Sequence, residues 1–176
     1  MFLFRRNKKE NKELSISTLE KALNITVIVD SDSYVSPLET MEIHIKPNHL
    51  GRDDVQIVLH EYGHIMQHRC ALNAQKGWQV TKDIFGEYAI NPSFEKWFLK
   101  QNFSVHGDSL HHSKREWYRS HIEWWAEAHS ILVLKGLGLP LHDDQVFFHH
   151  KTIKGKSLPS CLKKQVKETI NKIKKE

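Results

Sequence analysis

The segment His60-Glu61-Tyr62-Gly63-His64 sets two imidazoles four residues apart, with a carboxylate beside the first. On a helix that interval stacks both rings on one face, about one turn from each other. Both ring nitrogens then reach a single tetrahedral ion at about 2.0–2.1 Å. Glu61 is rotated by about 100° from His60. It therefore projects beside such an ion, where a carboxylate takes a proton from a water held there. Gly63 costs about 1 kcal/mol relative to Ala in a helix interior, so its lack of a side chain implies the close approach of another element. The preceding turn, Val55 to Leu59, is strongly apolar. It carries two His and a Glu into or beside a core, where ionisable groups need partners.

A catalytic zinc takes three protein ligands and leaves one position to water. A third His ten residues after the first is not available, because Cys70 stands there and Gln67 occupies the usual glycine place. A metzincin-type site is therefore not expected. His68 continues the stripe, but one further turn carries it about 5.4 Å along the axis, which assigns it to the surface or to a place behind the ligands. A better third ligand lies in His121-Ile122-Glu123-Trp124-Trp125-Ala126-Glu127-Ala128. Glu123 and Glu127 share one helical face amid Trp and Ala, the mark of buried, compensated acids. One would bind the metal and the other accept the free N–H of a metal-bound His, fixing its tautomer. Glu123 as ligand with Glu127 as orienter is the economical assignment, and the reverse fits the same spacing.

The pair of motifs resembles the gluzincin pattern, in which one helix gives two His and a later helix gives Glu. The run Ile122 to Ala128 resembles the ligand helix of the anthrax lethal factor-like peptidases, with its order of Glu, two aromatics, Ala, Glu, Ala. The similarity covers the two helices and the strand before them, about a quarter of the chain. It implies Zn²⁺ at His60, His64 and Glu123, Glu61 as general base, and hydrolysis of peptide bonds by a metal-activated water. It also implies a zincin-like α+β fold: a small N-terminal mixed sheet packed on the His60–His64 helix, followed by a mainly helical C-terminal half. The family's catalytic Tyr, seven residues before its Glu ligand, is replaced here by Glu116. Tyr118 is the nearest phenol and is assigned to the oxyanion. Glu127 and His121 are placed behind the ligands, His121 also standing with His112 and His129 as a rival donor. The long interval from His64 to Glu123 implies an inserted helix and loop from Gly77 to His112.

Several elements must position these groups. Apolar spacing predicts a helix over 13–23, strands at Ile25–Val29 and Met41–Ile45, and the metal helix from Asp53 or Asp54 to about Leu72. Residues 74–91 read as irregular, and Pro92 opens a helix carrying Phe94, Trp97, Phe98 and Leu99. A His-rich loop spans 102–113, a long helix runs from about Ser113 to Lys135, and Pro159 opens the last helix. His111-His112 and His149-His150 read as solvated loop residues. The strand Met41–Ile45 alternates apolar with polar residues, as a half-buried or edge strand does; the gluzincin resemblance implies that it lies along the cleft, its free edge pairing with an extended peptide or protein substrate.

The 176 residues suit one domain spanning 1–176, with 1–12 and 174–176 as flexible basic ends. Thirteen His and a formal net charge of +5 depart from ordinary composition. Lysines crowd the two ends, which reads as a solvated face. The alternatives are a DNA-associated metalloprotease and a non-catalytic zinc-binding interaction protein; no aromatics interleave with the terminal lysines, so base stacking is not supported. Two Cys allow one disulfide without demanding it. With no signal-peptide or membrane-span pattern, the cytoplasm is the default expectation, and secretion by a signal-less route stays open.

Overall fold

Helix α1 (Ile16–Leu23) starts where Ser15 Oγ accepts a hydrogen bond from Thr18 N at 3.2 Å, and ends where Asn24 turns left-handed at φ 54°. The chain then forms strands β1 (Thr26–Val29), β2 (Tyr34–Val35) and β3 (Glu42–Ile45), and enters α2 (Asp54–Leu72). A hairpin follows, β4 (Gln79–Asp83) and β5 (Gly86–Ile90), and then α3 (Pro92–Lys100). The remainder is helical: α4 (Lys114–Leu137), α5 (Asp143–Phe148), a π-helical turn at His149–Ile153, and α6 (Ser160–Ile173). This computed structural model describes residues 14–35, 40–73, 75, 77–83, 86–101 and 114–176, with the backbone alone at 34–35, 50, 82–83, 86–88 and 114–120. Among the described residues the architecture is α+β, about 62% helical, with two small sheets.

The metal helix begins with a reciprocal cap. Gln56 N donates to Asp53 Oδ1 at 2.8 Å, and Asp53 N donates to Gln56 Oε1 at 3.3 Å, so two otherwise orphaned N–H groups are satisfied. α2 is buried around most of its circumference, from Ile57 and Leu59 to Tyr62, Ile65 and Met66, as expected of a helix with partners on every side. β3 lies under it with Ile43 and Ile45 buried, and α4 crosses it on another side.

The sheet corrects one expectation. Strand order is β1-β3-β2, with β1 parallel and β2 antiparallel to β3. β3 is therefore the middle strand, its backbone engaged by Thr26–Val29 on one edge and by Tyr34–Val35 on the other. Met41–Ile45 does not offer a free edge to a peptide. The alternation of Glu42 and His44 with Ile43 and Ile45 reports one buried face; it carries no information about edges.

Residues 74–91 are likewise not irregular throughout, since they contain the β4–β5 hairpin, paired from Gln79–Ile90 to Asp83–Gly86 and packed against α2. The segment between α4 and α6 is helical too, and His149 and His150 sit in the π-helical turn with rings 5.7 Å apart rather than in a loop. The His-rich stretch 102–113 lies outside the described residues. Cys70 and Cys161 are free thiols within hydrogen-bonding reach of each other. Among the described residues, no helix is long and apolar enough to cross a membrane.

One buried group ties the helical half together. His129, on α4, is fully buried (0% exposed), and its Nε2 lies 3.1 Å from Thr169 Oγ1 on α6. Burial pushes its pKa down to about 4, so the ring stays neutral in the fold. The unfolded chain protonates it near the ordinary value of about 6.5. Its contribution is thus intact above that pH and is lost as pH falls from about 6.5 toward about 4. Chemical denaturation at pH 7 and pH 5 should show a fall in unfolding free energy that is about 2 kcal/mol smaller in His129→Gln than in the wild type. Equal falls would mean that the folded protein already accommodates the proton.

Candidate metal centre

The site is made where α2 and α4 touch backbone to backbone. A Cβ added at Gly63 would lie 2.7 Å from Ala126 Cα and 2.9 Å from Ala126 O, distances that van der Waals radii forbid. Gly63 sits between His60 and His64, and Ala126 between Glu123 and Glu127. The close crossing therefore lays one His pair against one Glu pair. Glu123 Oε2 lies 3.4 Å from His60 Nε2 and 3.7 Å from His64 Nε2, and the three ligand atoms fall within 4.8 Å of one another. Donors held at about 2.0–2.1 Å around a tetrahedral ion are separated by about 3.3 Å. The three side chains could therefore hold a metal ion with little movement.

The electrostatics fit the same conclusion. Burial disfavours charge on His60, but the carboxylates of Glu123 and Glu127 outweigh it and push its pKa up to about 10. Burial likewise opposes the charge on Glu123, and His64 and His60 nevertheless hold its carboxyl well below the usual range.

The two acids make different contacts. Glu127 Oε2 lies 2.7 Å from His60 Nδ1. An ionised carboxylate only accepts, so Nδ1 carries a proton, and Nε2, on the side of His64 and Glu123, is the nitrogen that a bound metal would take. Glu127 is thus the acid bonded to His60 Nδ1, and Glu123 is the acid placed with both imidazoles. Glu61 is buried (7% exposed) near enough for its charge to act on His60. The Glu123 side chain is 58% exposed, so the group opens to solvent on the α4 side.

Two expected residues fall elsewhere. His121 is two positions from Glu123, which rotates it by about 200° around α4. Its ring packs 6.0 Å from Phe94 and 6.5 Å from Phe98, where burial pushes its pKa down to about 4. It belongs to the aromatic core, and the place behind the ligands is taken by another residue. His68 is buried, which removes the surface alternative for it. The side chains of Tyr118 and Glu116 lie outside the described residues, as does His112.

That other residue is Arg52, which sequence reasoning missed. Arg52 Nη1 donates to Glu127 Oε2 at 2.9 Å, while Nε and Nη2 donate to Asp144 Oδ2 at 3.2 and 2.5 Å. Asp144 Oδ1 in turn lies 2.7 Å from His142 Nδ1. Burial works against the guanidinium charge, but Glu127 and Asp144 outweigh it and hold Arg52 more firmly protonated than usual. Arg52 directly precedes the Asp53 cap, a position that carries no periodic signal.

Comparison of the chain with protein-family models, with curated proteins and with solved structures finds no match.

The crossing makes a direct prediction. Gly63→Ala should lower stability by about 1–3 kcal/mol, because the added methyl meets backbone that has no rotamer to change. It should weaken metal binding as well, since separating the helices moves Glu123 from the imidazoles. Thermal unfolding with and without metal would check both, and an unchanged Tm would show that the helices are not in contact there.

Proposed function

We propose that this chain is a zinc-dependent peptidase of the gluzincin type, with a zincin-like arrangement of sheet and helices around α2. The observation that carries the reading is the convergence of His60 Nε2, His64 Nε2 and Glu123 Oε2 beside Glu61, with Glu127 on the far nitrogen of His60. The small mixed sheet on α2 and the second ligand helix after it support the fold assignment. A closed structural site would complete four protein ligands; among the described residues three are gathered, and the side chain of Glu123 faces solvent.

In this reading His60, His64 and Glu123 hold the ion. Zinc in such a site supplies a Lewis acid for the scissile carbonyl and lowers the pKa of water toward about 7. Glu61 accepts the proton of the attacking water and passes it to the leaving amine, so one carboxylate serves first as base and then as acid. Glu127 keeps the His60 proton on Nδ1 throughout. Tyr118 is the proposed donor to the oxygen on which negative charge develops. The buried position of Glu61 keeps bulk water from competing for its proton.

Zinc content and cleavage of a peptide library, measured on the wild type, Glu61→Gln and Glu123→Ala, test this. Glu61→Gln should keep one zinc per chain and lose about 10²–10⁴-fold in kcat. Glu123→Ala should lose zinc during dialysis. Undiminished cleavage by Glu61→Gln, or full zinc retention by Glu123→Ala, would overturn the assignment.

A further inference from the structure

We infer that Arg52 is a positioning residue for the metal centre: by clamping Glu127 between itself and His60, it fixes the ring that presents Nε2 to the ion, and Asp144 on α5 holds the clamp. The inference rests on the metal-centre reading above.

The geometry singles out Arg52 among the charged residues. Glu127 Oε2 accepts from both His60 Nδ1, at 2.7 Å, and Arg52 Nη1, at 2.9 Å. A carboxylate oxygen with two donors at these distances has its plane fixed, whereas one bonded to His60 alone is free to rotate about its last torsion. Among the described residues Glu127 Oε1 has no hydrogen-bond partner, so none of them fixes the carboxylate through that oxygen. Among them, Arg52 is the further restraint on the acid bonded to His60 Nδ1.

Arg52 is itself restrained. Nε and Nη2 both bond Asp144 Oδ2, so the planar fork spans two acids and leaves Nη1 aimed at Glu127. Asp144 accepts further from His142, the residue that caps α5. The side chain of Arg52 is 15% exposed, and it is drawn from the residue just ahead of the Asp53 cap. The chain of contacts therefore runs from α5 through Arg52 and Glu127 to His60, joining three parts of the sequence at one ligand. A lysine could supply the charge but not the fork.

The test measures metal affinity and ligand geometry rather than hydrolysis. Zinc dissociation constants, by competition with a chelating dye, and the visible spectrum of the Co²⁺-substituted protein are compared for the wild type, R52K, R52M, E127Q and R52M/E127Q. R52K preserves the charge and guards against loss of folding in R52M. We expect R52M to weaken zinc binding by about tenfold or more, in the range typical of groups behind a ligand. R52K should weaken it severalfold, and both should alter the cobalt bands. In the E127Q background, R52M should have little further effect, because its action passes through Glu127. Wild-type affinity and spectrum in R52K and R52M would overturn the inference, as would effects of R52M and E127Q that simply multiply. A wild type that binds no ion would overturn the metal-centre reading together with the inference. A wild type that binds zinc without cleaving peptides, with the Arg52 effects as expected, would overturn the peptidase assignment and support the positioning role.

Discussion

The approach of α2 to α4 at Gly63 and Ala126 is the contact on which the rest of the site depends. Ordinary helix pairs stand 8–10 Å apart because side chains separate them. Here a residue with no side chain meets one with only a methyl, and the axes close until backbone meets backbone. Short side chains such as Asp would not bridge a wider gap, and even Glu reaches both His60 and His64 only because the helices are this near. The same contact fixes the relative height of the helices. Gly63 lies between the two His and Ala126 between the two Glu, so sliding one helix by a turn would break every pairing together.

Closing that gap concentrates negative charge. Glu61, Glu123, Glu127 and Asp144 meet a single guanidinium, Arg52, within one connected group. Two of them, Glu61 and Glu127, are buried, which is unfavourable unless cations accompany them. Arg52 answers for Glu127 and Asp144, and it leaves Glu123 and Glu61 facing the two imidazoles. The raised pKa of His60 and the lowered one of Glu123 show these two groups stabilising each other's charge. The arginine thus neutralises the back of the site, where Glu127 and Asp144 lie.

Much of this was legible in the sequence, for physical reasons that also explain the misses. α2 was readable because its start carries a local cap, Asp53 with Gln56, and its chemistry repeats at helical spacing. The pairing of Glu123 with Glu127 was readable for the same reason. The choice between them was not, because it depends on which imidazole nitrogen each acid meets across two helices. Arg52 was invisible because its partners lie 75 and 92 residues away, and no local pattern marks such a pair. His121 was misplaced by nearness in sequence to Glu123, although two helical positions put it on a different face. The β4–β5 hairpin escaped because its residues are mostly polar, with Val80 still 38% exposed, so the alternation that marks a half-buried strand is faint.

The aim of the two acids is finally a matter of aromatic packing on the other side of α4. Trp124 and Trp125 follow Glu123 directly, so they point away from the metal helix by about 100° and 200°. Trp124 packs 5.2 Å from Trp97, and Trp125 packs 5.0 Å from Phe94 and from Trp78. Each Trp removes about 150–250 Å² from water, worth about 4–6 kcal/mol at 25 cal/mol per Å². Turning α4 by one residue would expose at least one of them, which far exceeds the gain from any single exposed carboxylate contact. The rotation of the helix is therefore set by α3 and Trp78. This explains how Glu123 stays directed at His60 and His64 while more than half of its side chain remains open to solvent. A side chain held by the far side of its own helix need not be walled in to keep its aim.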